Sequence, residues 1–74
     1  MTAYKNLSQE SGVLKYEILE DGIRVQWIGG DIYYYSNAST GKEHIAQMKS
    51  LALKGRGLAT YISQNVKANY ESKE

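Results

Sequence analysis

The apolar residues of this chain change period at its midpoint. Up to Trp27 they recur at every second position, and from Ile45 onward at every third or fourth. A period of two belongs to half-buried strands, and a period near 3.6 to amphipathic helices. The chain is therefore confined to strands first and helices second, an α+β order. The change falls on Gly29-Gly30-Asp31-Ile32-Tyr33-Tyr34-Tyr35, a glycine turn followed by three consecutive tyrosines.

Within the first half, Val13 to Glu20 alternates, with Leu14, Tyr16 and Ile18 on one side and Lys15, Glu17 and Leu19 on the other. Asp21-Gly22 is a hairpin signal, because both central residues of a type I′ turn need positive φ. A two-residue loop there pairs Glu20 with Ile23, Ile18 with Val25 and Tyr16 with Trp27, which collects the apolar residues on one face. The second turn has two solutions. A two-residue loop at Gly29-Gly30 pairs Val25 with Tyr34 and leaves Tyr33 and Tyr35 on the open face. A three-residue loop pairs Trp27 with Tyr33 and Val25 with Tyr35, placing those two toward the core. Both parities offer apolar residues, so periodicity does not choose between them.

Ser36 to Thr40 reads as a polar connection. Thr40-Gly41-Lys42-Glu43 fits a capping box, in which the threonine hydroxyl and the glutamate carboxylate each satisfy a backbone N–H of the first turn. Ile45, Met48, Leu51 and Ala52 then mark a helix from about Gly41 to Lys54, stopped by Gly55. Leu58, Tyr61, Ile62 and Val66 mark a second, from about Leu58 to Tyr70. The expected architecture is a three-stranded antiparallel meander followed by two helices packed on one sheet face. Residues 1–11 are polar and without period, and are expected to form a flexible arm. Residues 71–74 are expected to fray.

Composition narrows the function classes. A chain of 74 residues makes one small domain, and such a domain buries only about 60% of the surface its unfolded chain exposes. Small folds are usually reinforced by disulfides, a metal or self-association. The chain contains no cysteine and a single histidine, so disulfides and thiolate zinc sites are excluded. No metal or cofactor is expected, and self-association stays open. The net charge is only +1, so no global field draws the chain to nucleic acid or anionic lipid. There is neither an apolar run long enough to span a membrane nor an N-terminal signal core. The expected location is the cytoplasm.

Several residues together carry a family resemblance. The alternating strand Ile23-x-Val25-x-Trp27, the turn Gly29-Gly30, the pair Tyr33 and Tyr35, the corner Ser50 to Gly57 and the closing Ile62 and Tyr70 resemble the KTSC domain, named after a C-terminal extension of some lysyl-tRNA synthetases. The resemblance runs from Ser11 to about Tyr70 and implies one KTSC-like domain over residues 12–70. In that family a Val-Pro pair usually follows the tyrosines, where this chain has Asn37-Ala38. The residue between the tyrosines is usually polar, where this chain has Tyr34. A polar middle residue implies that its neighbours face the core, which favours the three-residue turn. The resemblance also points to RNA as a ligand.

Two stretches offer binding chemistry. Tyr34, on an open sheet face beside Arg24 and Lys15, has the makings of a base-stacking platform with phosphate contacts. With Ile28 and Ile32 the same tyrosine would instead form an apolar patch for a protein partner or a second copy. Lys54-Gly55-Arg56-Gly57 is a glycine corner before a helix, where backbone N–H groups and basic side chains would hold an anion. The same corner also reads as a plain helix stop and turn. The binding residues singled out are thus Arg24, Tyr34, Lys54, Arg56 and Gly57, for RNA or another single-stranded nucleic acid. His44 lacks an adjacent nucleophile or acid on its own helix face and reads as a boundary residue. No motif of catalysis is present, and the expectation is a non-enzymatic binding module.

Overall fold

The computed structural model of the chain describes residues 1–7 and 11–74. Its strands are β1 (Thr2–Ala3), β2 (Val13–Leu19), β3 (Gly22–Trp27), β4 (Ile32–Ser36) and β5 (Ser72–Lys73). Its helices are α1 (Asn37–Thr40), α2 (Lys42–Lys54) and α3 (Leu58–Tyr61), the last running directly into a π-helical segment, Ile62–Val66. The strands form one antiparallel sheet in the order β1-β2-β3-β4-β5. The α+β class and the strands-then-helices order agree with the periodicity. The meander, however, carries a short strand on each edge.

Those two edges correct the expected termini. Thr2 and Ala3 pair with Tyr16 and Lys15, and Tyr4 is buried in the core, so this part of residues 1–11 is not a loose arm. The Ser8–Glu10 part of that expected arm lies outside the described residues. At the other end Lys73 and Ser72 pair with Tyr33 and Tyr34 in place of a frayed tail. Both edge strands are two residues long, a length that gives a foreign strand little to pair with.

Both hairpins sit two residues away from the expected register. Ile18 pairs with Ile23 and Tyr16 with Val25, so the first loop is Glu20-Asp21 and Gly22 already belongs to β3. The reason is steric. A Cβ at Gly22 would land on the Tyr35 carbonyl oxygen, 2.8 Å from Tyr34 Cε1 and 3.0 Å from Ser36 Cα. The glycine serves close packing of β3 on β4 and has no positive φ. In the second hairpin Val25 pairs with Tyr33 and Ile23 with Tyr35. Its loop does hold three residues, but they are Ile28-Gly29-Gly30, closed by the Trp27 N–H donating to Asp31 O at 2.9 Å. Gly29 and Gly30 have φ of 104° and 100°, which side-chain-bearing residues rarely adopt.

A slip of two preserves side-chain parity. Tyr33 and Tyr35 therefore face the helices and Tyr34 the open side, as the resemblance implied. One bulge breaks the pattern. The β2–β3 register shifts between Val13 and Lys15, which turns Val13 into the core and leaves Leu14 exposed. The core joins Tyr4, Val13, Tyr16, Ile23, Val25 and Tyr35 of the sheet side to Ile45, Met48, Ala52, Leu58, Ile62 and Val66 of the helical layer.

Helix α2 ends as expected, with Gly55 left-handed at φ 80° and its N–H donating to Leu51 and Ala52 carbonyls. Its start differs. Ser36 caps the one-turn α1, exchanging backbone-to-hydroxyl bonds with Ser39 at 3.0 and 3.2 Å. Thr40 is therefore not a cap for Glu43. Its hydroxyl donates to Asn69 O at 2.6 Å, and Gly41 precedes α2 with no side-chain cap. The second helix is also shorter than expected. Its π-helical segment ends at Val66, and Tyr70 lies edge-on to Tyr33 and Tyr35 instead of continuing the helix.

Candidate functional site

The open sheet face holds the first group of expected binding residues. Sheet pairing lines up Glu17, Arg24, Tyr34 and Ser72 in one row and Lys15, Gln26 and Ile32 in the next. The row is closed by its own charges. Arg24 Nη1 donates to Glu17 Oε1 at 2.8 Å, while Nη2 and Nε donate to the two Glu74 oxygens at 2.8 and 3.2 Å. The hydrogen bonds from Glu17 and then Glu74 raise the guanidinium above its ordinary value. Arg24 thus meets two carboxylates, with no donor pair left pointing outward for a phosphate.

Tyr34 is similarly engaged. Its ring lies across Gly22, and its hydroxyl donates to Asp21 Oδ1 at 3.1 Å. Partial burial, then the Asp21 bond and the Asp21 and Glu71 charges, raise its pKa. The tyrosine covers the one strand position without a side chain and braces the first turn. The apolar patch expected around it is broken. Ile28 is 67% exposed at the tip of the second turn, whereas Ile32 is half-buried beside the Glu74 backbone. The ion-paired row of Arg24 lies alongside.

The glycine corner is the second group. Lys54, Arg56 and Gly57 are exposed, and Gly57 is left-handed at φ 81°. The corner spends two of its amides within the fold. Leu58 N–H donates to the Tyr4 hydroxyl at 3.3 Å, Gly55 N–H is spent on capping α2, and Gly55 O accepts from Leu7 N–H at 2.7 Å. A Cβ at Gly55 would collide with the Lys5 side chain. The residues 4–7 stretch thus packs over the corner and engages the Leu58 amide and the Gly55 carbonyl. What remains is three cations gathered there, Lys5, Lys54 and Arg56. None forms an ion pair among the described residues.

Sequence reasoning missed two features. His44 Nδ1 and the Tyr61 hydroxyl lie 2.6 Å apart and tie α2 to α3. The pair is half-buried, and among the described residues no carboxylate, thiol or serine hydroxyl joins it in a shared hydrogen bond. Among the described residues no group of three or more His, Cys, Asp or Glu is placed to hold a metal. The second feature is an open hollow of about 580 Å³ between β1, β2 and the end of α2, lined by Met1, Thr2, Tyr16, Glu17, Ile18 and Leu53. Ile18 lies on the same side of the sheet as Tyr16, yet it is 41% exposed, and Leu53 across the hollow is 60% exposed. The outward position of Leu53 on its helix was the available signal, since it breaks the apolar stripe of Ile45, Met48 and Ala52. Among the described residues no helix is long and apolar enough to cross a membrane. Compared with known proteins, the chain matches no family model, no curated protein and no solved structure.

Proposed function

We propose that the chain is a small binding module without catalysis, and that its ligand is a protein docked at the hollow beside β1 and β2. The observation that carries this reading is the gathering of Met1, Ile18 and Leu53, exposed apolar side chains from the residue before β1, from β2 and from α2, around one concavity. Single exposed apolar residues are ordinary, but a contiguous group at a depression marks an interaction surface. The self-paired charges on the open sheet face support the same choice, because they remove the expected phosphate contacts of Arg24. Burying Ile18 and Leu53 against a partner would gain roughly 1–3 kcal/mol each.

The test is a photo-crosslinking residue placed at position 53 in the full chain, expressed in its native cell. We expect a discrete protein adduct that Ile18→Lys reduces at least about tenfold, the equivalent of 1.4 kcal/mol. An adduct indifferent to Ile18→Lys, or none, overturns the reading. Sedimentation of the purified chain then distinguishes a second copy from another protein.

A second reading is a module for single-stranded nucleic acid, and one observation favours it. Lys5 packs against Gly55, which Lys54 and Arg56 flank in sequence, and none of the three forms an ion pair among the described residues. The KTSC resemblance supports the same reading. It would place the phosphate backbone at the corner, away from the tyrosine strand.

A further inference from the structure

The segment Tyr70–Glu74 is bound to β4 as a peptide ligand would be. Its backbone runs antiparallel to the strand. Glu71 N–H donates to Tyr34 O at 2.7 Å, Glu74 N–H to Ile32 O at 2.6 Å, and Ile32 N–H to Glu74 O at 3.3 Å. Four of its five side chains meet a complementary group. The Tyr70 ring stands edge-on to Tyr33, with centroids 4.8 Å apart. Glu71 Oε1 accepts from the Ser36 hydroxyl at 2.6 Å. Lys73 Nζ lies 3.8 Å from Asp31 Oδ2 and 5.5 Å from the Tyr33 ring centroid. Glu74 takes two donors from Arg24. Main-chain bonds to a sheet edge, with pockets for the flanking side chains, are the physics of strand addition.

The hold on this segment is weak in kind. All five residues are exposed, and the ion pairs to Asp31 and Arg24 lie at the surface, where such pairs contribute little. A short edge element with few buried contacts opens locally, at a free energy far below that of global unfolding. No core residue comes from positions 67–74; the segment touches the buried layer only from outside, through the Tyr70 ring on Tyr35 and Glu71 on the Ser36 hydroxyl. Opening would leave the β4 edge, the Tyr33 ring, Asp31, Ser36 and Arg24 as a preformed template.

We propose that the β4 edge is a strand-addition site for an extended segment of a partner protein. Its reading pattern is aromatic, acidic, any residue, basic, acidic, and Tyr70–Glu74 occupies it in cis as a competitor. Arg24 selects the final carboxylate, Asp31 the cation, and the Tyr33 face the aromatic ring. The site lies on the opposite edge of the sheet from the hollow and does not rest on the protein-docking reading given above.

The test uses the full chain and two capped peptides, Tyr-Glu-Ser-Lys-Glu and Tyr-Glu-Ser-Lys-Lys, followed by amide chemical shifts. In the unaltered chain the cis segment competes at an effective concentration in the millimolar range, so the peptide binds poorly. In the double variant Tyr70→Ala, Glu74→Lys the acidic-ended peptide is expected to bind about tenfold or more tighter. In Tyr70→Ala, Glu74→Ala, Arg24→Glu, whose cis segment offers no charge to the new carboxylate, the preference should reverse toward the lysine-ended peptide. Equal binding to both chains, no binding to either, or no reversal overturns the proposal. A concentration-dependent dimer in which the segment exchanges between copies overturns it as well. Hydrogen exchange on the unaltered chain gives a measure free of folding defects in the variants. The Glu71 and Glu74 amides should exchange at least about a hundredfold faster than the Val25 amide, as local opening requires; equal protection contradicts the proposal.

Discussion

Gly22→Asn is expected to destabilise the protein by roughly 3 kcal/mol, and as strongly as Gly22→Ala, through overpacking against a neighbouring strand. In a type I′ turn asparagine would be a good replacement, since it tolerates positive φ. Here Gly22 stands inside β3, and its missing side chain makes room for the Tyr35 carbonyl, the Tyr34 ring and Ser36 Cα. Two of those three neighbours are backbone, which a rotamer change does not move. A domain of this length has a total stability of roughly 4–11 kcal/mol by the usual per-residue figure. Either substitution therefore removes a large part of it. Urea titration measures the effect, and an asparagine variant within about 0.5 kcal/mol of the parent would mean that Gly22 belongs to the turn after all.

Tyr35→Ala is expected to cost more, about 3–5 kcal/mol, as for other large aromatic side chains truncated in a core. Tyr35 is 1% exposed, faces the helices opposite Ile23, and lies beside the Tyr33 and Tyr70 rings. The same burial, followed by the nearby Tyr33 and Tyr70 groups, pushes its phenol up to about 12 from the ordinary 10.0. The folded state thus resists ionisation at this position. The corresponding stability is fully present below pH 10 and is lost as pH rises through about 12. Tyr35→Phe should retain most of the packing and flatten the loss of stability over that alkaline range. Thermal melts at stepped pH give both numbers, and an alkaline slope unchanged in Tyr35→Phe would contradict the assignment.

These two residues also show how far the sequence could be read. Periodicity identifies which residues share a face, because parity survives a register slip of two. Periodicity leaves the parity of Tyr35 open, and the three-residue turn that the resemblance favours puts it in the core even though its partner is Ile23 and not Val25. The expected register of the first hairpin rests on Gly22 as a turn residue, and a glycine required for close packing looks the same in one sequence as a glycine required for positive φ. The Leu14 bulge left no mark, since Val13 and Leu14 are both apolar and either could face inward.

The candidate site was less legible for a different reason. Arg24 looked like a phosphate contact because it stands on an open face. What cancels it comes from Glu17 across the hairpin and from Glu74, fifty positions away in sequence. The Leu58 amide looked free because Tyr4, whose hydroxyl accepts from it, lies in a stretch with no period. The Glu17 contact is local and is hidden by the register slip of two, which exchanges Gln26 for Arg24 as its partner. The Glu74 and Tyr4 contacts are long-range, and composition and spacing report only local ones. The hollow has the same origin, since Met1, Ile18 and Leu53 meet only once the sheet and α2 are assembled.

The most direct measurement is a titration of the isotope-labelled chain with mixed-sequence single-stranded RNA at low salt, followed at every backbone amide. A sheet face whose charges are paired within the fold predicts no saturable shift at Glu17, Arg24 or Tyr34. Saturable shifts centred on Arg24 and Tyr34, and abolished by added salt as counterion release demands, would contradict it.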